Sequence, residues 1–300
     1  SPFDHLMMSS RNIAAIIGIS AVIVIIAAYA FMIPQNDDQD NLDLNNVDQP
    51  IVEPGDKVTV DYIGTLYNSF GKENAVVFDT SKEEIGTDPS IEKSLTYSRT
   101  TYDTFEFVVD SGTTISGFNE SVKGHKVGDV VKVYLKTEDA YNYPSYNGSL
   151  NRKDVEINKT NSISLESFKT YYPEANLSNG KIELDNDSGL PMTATLGDND
   201  DVLIEYVPLV GSKYELAKSG DTSIVMVVKS VDDERITYDV DIVDPVYLEG
   251  NSIKMVKIEL TYPFFITEIY DDNFFGHYMN EVFNQPLYFE IEIKSIEKAE

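Results

Sequence analysis

The sequence contains no cysteine and only three histidines, and both shortages restrict the chemistry available to the chain. Without thiols, the protein cannot form disulfides, use a cysteine nucleophile or bind zinc through thiolates. His5, His125 and His277 lie far apart and lack the spacing of metal ligands. The Asp-rich stretches at residues 185–189 and 198–201 lack the glycine and glutamate positions of a calcium-binding loop. We therefore expect neither a metal site nor a cofactor.

Basic residues are also scarce, with 23 lysines and arginines against 51 acidic residues and a net charge of -28. Affinity for nucleic acid depends largely on basic side chains that neutralise phosphates, so this balance predicts that nucleic acid is not a partner. The excess of acidic residues is typical of a soluble, self-repelling surface.

Only one long apolar run interrupts this polar composition, and it extends from Ile13 to Ile33 without a charged residue. At about 1.5 Å per residue, a helix of this length spans the roughly 30 Å of a hydrocarbon core. Arg11 precedes the run and several aspartates follow it, which favours a body outside the cytoplasm. We predict that residues 1–34 contain a transmembrane helix that makes a single pass through the cell membrane. The alternative is a cleaved signal peptide, because Ala28-Tyr29-Ala30 has the small-x-small form of a cleavage site.

After the apolar run, residues 35–51 are rich in Asp and Asn and predict a solvated linker. The following segments, Asp56 to Ile63 and Asp129 to Leu135, alternate β-branched with polar residues and so predict half-buried strands. Between them, Gly117 to Val122 is too short for an autonomous helix and fits a helix that is packed across a sheet. Lys82 to Asp103 has few apolar residues and predicts a long surface loop, for which a tolerated insertion is favoured over a specific binding role.

Several of these segments together resemble the FKBP-type peptidyl-prolyl cis-trans isomerase family. In chain order they read PGDKVTVDYIGTLYN, VVFDTS, FEFVVDSGTTISGFNESVKGHKVGDVVKVYL, EDAYNYP and, at the end, LYFEIEIKSIEKAE. The resemblance implies an FKBP-like domain in two parts, residues 52–144 and the closing strand 287–300. It identifies the chain as similar to the long-type archaeal members, which carry a large insert in the flap.

The resemblance also implies a binding pocket for a proline-containing chain. In it, Phe118 would form the floor, Ile115 and Tyr141 would donate hydrogen bonds to the substrate, and Asp79 would face the substrate carbonyl. Asp79 is the only charged candidate among these aromatic and aliphatic groups. The complete set of implied site residues is Tyr62, Phe78, Asp79, Phe105, Ile115, Phe118, Tyr141 and Phe289.

Residues 145–286 would form a β-rich insert-in-flap region. Two stretches, Leu190 to Tyr206 and Ser223 to Val240, each read as strand, Asp-rich turn and strand, and Phe264 to Tyr278 fits a third, degenerate copy. Leu165 to Tyr172 predicts a short helix that stops before Pro173. The fold class expected for the whole chain is therefore α+β and mostly β: an antiparallel sheet crossed by a short helix, a β-rich insert and an N-terminal membrane helix.

Two functional hypotheses follow from these features. In the first, the protein is a membrane-anchored, outward-facing peptidyl-prolyl isomerase (rotamase) and folding chaperone, with unfolded or proline-containing polypeptides as partners. In the second, it is a non-catalytic FKBP-like subunit whose insert docks onto a membrane or cell-surface assembly. An apolar pocket with one or two polar groups is compatible with both hypotheses, because it predicts binding and not hydrolysis.

Overall fold

The computed structural model describes residues 49–184 and 188–300. The predicted transmembrane helix, Ile13 to Ile33, lies outside them. No helix among the described residues combines the length and apolar character needed to cross a membrane. The chain forms two compact units: a discontinuous unit made of residues 49–146 and 281–300, and an inserted unit made of residues 147–280.

Strands dominate both units, and short α-helices accompany them. The strands are β1 (Lys57–Leu66), β2 (Val76–Thr80), β3 (Phe105–Val108), β4 (Val130–Leu135), β5 (Asn147–Asn151), β6 (Val155–Asn158), β7 (Thr160–Ser164), β8 (Ile182–Leu184), β9 (Met192–Leu196), β10 (Asp201–Tyr206), β11 (Lys213–Ser219), β12 (Thr222–Val231), β13 (Arg235–Val243), β14 (Ser252–Glu259), β15 (Pro263–Ile269), β16 (Asn273–Tyr278) and β17 (Leu287–Glu297). The helices are α1 (Glu83–Gly86), α2 (Ser116–Val122) and α3 (Leu165–Tyr171). This mostly β composition confirms the predicted fold class for the described residues.

The discontinuous unit is built on an antiparallel sheet in the order β2-β1-β17-β4. The last strand, β17, pairs with β1 on one side, where Val60 faces Ile293, and with β4 on the other, where Leu287 faces Leu135. The predicted return of the closing strand to this sheet is therefore confirmed. β2 and β3 share the other edge of β1, since β3 pairs with its first half and β2 with its second half.

Alternation of apolar and polar residues determines which face of this sheet is buried. In β17, Leu287, Phe289, Ile291 and Ile293 are buried, while the residues between them are partly exposed. Helix α2 covers this face with Phe118, which is fully buried, as the sequence predicted for a helix packed on a sheet. Burial of a side chain of this size contributes about 1.5–3 kcal/mol, which compensates for the low intrinsic stability of a two-turn helix.

Gly117 allows α2 to approach the sheet closely. A Cβ atom at this position would lie 2.4 Å from Leu135 Cδ2 and 3.0 Å from the Asp139 carbonyl oxygen. Any larger residue would therefore force the Leu135 side chain or the helix to move. This close approach explains why a glycine directly precedes the buried Phe118.

The described residues of the inserted unit, 147–184 and 188–280, form three four-stranded antiparallel sheets, ordered β7-β10-β9-β8, β11-β12-β13-β6 and β14-β15-β16-β5. Each sheet has a hairpin at its centre: β9-β10, β12-β13 or β15-β16. The three predicted hairpins are therefore confirmed. The successive strands β5, β6 and β7 each pair with a different sheet, and one hydrophobic core contains buried residues from all three sheets.

Helix α3 begins after Ser164, whose hydroxyl accepts a hydrogen bond from the Ser167 N–H at 3.2 Å. Capping of this kind satisfies one of the N–H groups that have no partner within the helix. The helix ends at Tyr171, shortly before Pro173, and its Phe168 is fully buried. The short helix predicted in this region is confirmed.

The segment 82–103 differs from the surface loop that the sequence predicts. It contains the single turn α1 and a parallel bridge between Lys93 and Val77 of β2. Ile85, Ile91 and Tyr97 pack against the buried Ile63 and Val77. The few apolar residues of this segment thus pack against the sheet, and the segment is an integral part of the discontinuous unit.

Candidate functional site

A cluster of aromatic side chains occupies the space between the sheet of the discontinuous unit and α2. Phe118 of α2 lies with its ring centroid 5.6 Å from Phe289 of β17 and 6.3 Å from Phe105 of β3. Phe78 of β2 contacts Phe289 at 5.9 Å, and Tyr62 of β1 contacts Phe105 at 6.4 Å. These edge-to-face contacts are the favoured arrangement of aromatic rings. The structure thus brings together five of the eight residues that the resemblance implies.

A sixth ring, Phe107, extends this cluster. It stacks on Phe105 with centroids 5.3 Å apart and contacts Phe118 at 5.6 Å. Phe107 is buried whereas Phe105 is only partly buried. Because Phe105 and Phe107 are two residues apart on one strand, they lie on the same face of the sheet, which the sequence pattern FEF indicates. The implied set of site residues did not include Phe107.

Asp79 lies beside this cluster on β2 and is 8% exposed. Its Oδ1 accepts a hydrogen bond from the Thr80 N–H at 2.9 Å, and its Oδ2 accepts one from the Tyr62 hydroxyl at 3.2 Å. Burial raises the pKa of Asp79 to about 6, although Arg99 and the hydrogen bonds favour the ionised form. Burial, together with the negative charge of Asp79, also raises the pKa of the Tyr62 phenol.

Arg99 supplies the positive charge of the site. Its Nε lies 2.6 Å from Asp79 Oδ1, its Nη2 donates to the Tyr62 hydroxyl, and its guanidinium carbon lies 5.4 Å from the centroid of the Tyr62 ring. The expectation that Asp79 is the only charged group in the site is therefore wrong. Residues 82–103, which the sequence favours as a tolerated surface insertion, thus contribute Arg99 to this site.

One signal in the sequence could have indicated Arg99. A carboxylate that is buried among aromatic rings is costly unless a positive charge or several hydrogen bonds compensate it. The sequence places Asp79 among such rings, and Arg99 is the basic residue that most closely precedes the Phe105 strand. The Asp79–Arg99 pair could not be predicted from local sequence, because residues 82–103 must fold back onto β2 before the two side chains meet.

Two further residues of the implied set, Tyr141 and Ile115, make different contacts. Tyr141 is buried, and its electrostatic interaction with Tyr62 contributes to the raised pKa of the Tyr62 phenol. Its carbonyl accepts a hydrogen bond from the Asn284 N–H at 2.9 Å. Ile115 is partly buried, adopts an extended conformation directly before α2, and accepts a hydrogen bond from the Asn119 N–H at 3.1 Å.

The arrangement of these groups resembles a binding site for an uncharged, partly apolar ligand. Aromatic rings form one side, and the Tyr62, Asp79 and Arg99 network forms a polar side. Over the ranges 49–184 and 188–300, no group of three acidic or histidine side chains is placed to hold a metal ion. Such a site can orient and desolvate a peptide.

Comparisons with known proteins agree with this geometry. The sequence model of the family described as FKBP-type peptidyl-prolyl cis-trans isomerase matches residues 49–160. A protein of Methanocaldococcus jannaschii named short-type peptidyl-prolyl cis-trans isomerase is 33% identical over 91 residues, which are 30% of this chain and 51% of the relative. The chain thus spans about half the length of the curated relative it matches. The match over residues 49–160 confirms the resemblance to the FKBP-type peptidyl-prolyl cis-trans isomerase family that the sequence motifs indicate.

Proposed function

We propose that the discontinuous unit is a peptidyl-prolyl cis-trans isomerase that acts on X-Pro bonds. The observation that carries this proposal is the aromatic cluster beside the Asp79–Arg99 ion pair, assembled from β1, β2, β3, α2 and β17. The family match and the name of the Methanocaldococcus jannaschii relative support the same reaction.

The reaction makes and breaks no covalent bond permanently. Its barrier of about 18–20 kcal/mol arises from the partial double-bond character of the amide, which is lost when the amide twists. A site lowers this barrier if it binds the twisted amide more tightly than either planar isomer. Partial removal of water from the substrate carbonyl assists, because hydration stabilises the planar, more polar amide.

Each part of the site has a role in this mechanism. Phe118 and the rings around it hold the proline ring, and the Tyr141 hydroxyl and the Ile115 N–H donate hydrogen bonds to the substrate backbone. Asp79 faces the carbonyl of the twisting bond. Arg99 balances the charge of Asp79 and, together with it, fixes the Tyr62 hydroxyl. Because the pKa of Asp79 is about 6, this carboxyl is mainly ionised at neutral pH.

The decisive experiment measures cis/trans exchange of a proline-containing peptide with purified protein spanning residues 49–300. The wild-type protein should accelerate exchange, and Asp79→Ala should reduce kcat/KM more than it reduces stability. Asp61→Ala on β1 is a matched control, because it removes a carboxylate whose side chain pairs with Lys294 and Ser81 outside the aromatic cluster. If the folded wild-type protein gives only the uncatalysed rate, the isomerase proposal fails and the non-catalytic subunit replaces it.

We further propose that the inserted unit holds unfolded client chains, as a long-type member of the family would. Support comes from the tip of the loop between β10 and β11, where Leu209 is 70% exposed and Val210 64% exposed. The backbone of this loop is fixed by hydrogen bonds, including Leu209 N–H to Tyr214 Oη at 3.3 Å. A client held on the same chain as the prolyl site raises the effective concentration of its X-Pro bonds.

Suppression of client aggregation tests this second role. Leu209→Ser with Val210→Ser should weaken suppression of aggregation without changing kcat/KM for a short peptide. Val243→Ser, at an exposed position of the same unit, is the control. Unchanged suppression in the double variant would remove the proposed client surface.

Membrane anchoring by Ile13–Ile33, with the folded units outside the cytoplasm, completes the proposal. It is supported by the length and uncharged character of that run. An archaeal origin fits the organism of the relative.

A further inference from the structure

Glu281 is a buried carboxylate that the isomerase mechanism does not use. It is 1% exposed, and it is the first residue of the segment that returns from the inserted unit to the discontinuous unit. Its Oε1 accepts a hydrogen bond from the Leu95 N–H at 3.1 Å, and its Oε2 accepts two from Thr96, through the N–H and the hydroxyl, both at 3.0 Å. One side chain therefore fixes two successive residues of a distant segment.

The fixed residues belong to the segment that carries Arg99. Just before them, Val77 donates to the Glu92 carbonyl and accepts from the Ser94 N–H, both at 2.9 Å, which joins the segment to β2. Just after them, Tyr97 packs against the buried Ile63 and Val77. Hydrogen bonds to β2 thus hold the backbone of this segment up to Ser94, and hydrogen bonds to Glu281 hold it at the next two residues.

The distance from this clamp to Arg99 is short. Arg99 follows Thr96 by three residues, and an extended chain advances at most about 3.3–3.6 Å per residue. The backbone of Arg99 therefore lies within about 11 Å of the point that Glu281 fixes. A shift of the segment by about 1–2 Å would break the 2.6 Å contact between Arg99 Nε and Asp79 Oδ1.

We propose that Glu281 is a positioning residue for the prolyl site: it holds residues 95 and 96 so that Arg99 stays paired with Asp79. This inference rests on the proposed isomerase function. Glu281 touches no substrate, and it acts through Arg99. Within the discontinuous unit, the residue that directly follows the insertion is in this way connected to the polar side of the site.

A single isosteric substitution separates this role from simple packing. Glu281→Gln keeps the shape of the side chain but replaces one acceptor oxygen with an NH₂ group, which cannot accept from Leu95 or Thr96. Thr96→Val is a milder variant, because it removes only the hydroxyl donor. Glu297→Gln is the charge-matched control, since its side chain is 76% exposed and lies at the end of β17.

Two measurements on the full chain carry the test. The first is the pKa of Asp79, followed by NMR of its carboxyl carbon. The titratable and charged groups that act on Asp79 are Arg99, Tyr62 and, by a weaker interaction, Tyr97. Since Arg99 lowers the pKa of Asp79, Glu281→Gln should raise it, Thr96→Val should raise it less, and Glu297→Gln should leave it unchanged.

The second measurement is kcat/KM in a double-mutant cycle with Arg99→Ala. We expect Glu281→Gln to lower kcat/KM about fivefold in the wild-type background and less than about twofold when Arg99 is absent. An equal loss in both backgrounds, or an unchanged pKa of Asp79 in a folded Glu281→Gln protein, overturns the proposal. If Glu281→Gln does not fold, an unchanged pKa in Thr96→Val overturns it.

The two measurements also separate this proposal from the isomerase function on which it rests. An inactive wild-type protein refutes the isomerase function, whereas the pKa of Asp79 still reports whether Glu281 positions Arg99.

Discussion

Replacement of Asp79 by asparagine should change how the stability of the protein depends on pH. The pKa of Asp79 is about 6 in the folded protein and has its ordinary value of 3.8 when the chain is unfolded. Between these two pH values the folded protein binds a proton that the unfolded chain has released, so stability falls as the pH rises. One pKa unit corresponds to about 1.4 kcal/mol, so the ionisation of this side chain costs about 3 kcal/mol above pH 6.

The amide side chain in the Asp79→Asn variant does not ionise and does not incur this cost. The free energy of unfolding of Asp79→Asn, minus that of the wild type, should therefore increase by about 2.5 kcal/mol between about pH 4 and pH 7. Any constant difference caused by the altered contact with Arg99 does not affect this increase. The measurement is urea denaturation at a series of pH values, followed by tyrosine fluorescence and circular dichroism.

Asp88 provides a control of opposite sign. Hydrogen bonds from Ser90 hold the pKa of this exposed carboxyl below its ordinary value. Stability that depends on ionised Asp88 is present above its ordinary pKa and is lost as the pH falls, so the difference for Asp88→Asn should shift slightly in the other direction. A difference for Asp79→Asn that does not vary with pH would refute the argument that burial outweighs Arg99 at this carboxyl.

Three further predictions concern other parts of the chain. Phe118→Ala should destabilise the protein by about 3–5 kcal/mol, because the ring is fully buried. Tyr141→Phe should instead lower kcat/KM up to about tenfold with little change in the melting temperature. Comparable losses of stability in the two variants would contradict the assignment of a packing role to Phe118 and a hydrogen-bonding role to Tyr141. Gly276→Ala should destabilise the inserted unit by about 1–3 kcal/mol, because its Cβ would lie 2.0 Å from the Phe265 carbonyl oxygen, while Gly197→Ala, with 3.4 Å to the nearest atom, should melt like the wild type. The full chain should remain in membranes after carbonate washing and a protein that starts at residue 49 should not, so release of the full chain by carbonate would exclude an integral anchor.

The sequence predicts best those elements whose signals are local. The hairpins β9-β10, β12-β13 and β15-β16 each join two apolar runs through an Asp-rich turn, so adjacent residues suffice to identify them. The central sheet of the discontinuous unit could be predicted because the residues of its motifs alternate and follow the order of a known family. The aromatic residues of the site were found through the same resemblance.

The remaining features depend on pairing over long distances. β5 and β7 read NGSLN and TNSIS, which are largely polar and lack the alternation of a half-buried strand. They become strands because they pair with the edges of β16 and β10. Intrinsic strand propensity does not predict this pairing. Arg99 escaped detection for a similar reason, since its partner lies on another strand and the segment between them is held by Glu281, far along the chain.

The central position of β17 has a consequence for the synthesis of this protein. The ribosome delivers β1 and β4 before the inserted unit, but the strand that belongs between them consists of residues 287–297, which follow that unit. At about 5–20 residues per second, the whole inserted unit must be translated after β4 before the gap can be filled. Throughout that interval β1 and β4 present unpaired edges, which invite association with other nascent chains. The discontinuous unit therefore completes its sheet only after the inserted unit has been translated, and a nascent chain that ends before β17 cannot form the candidate site.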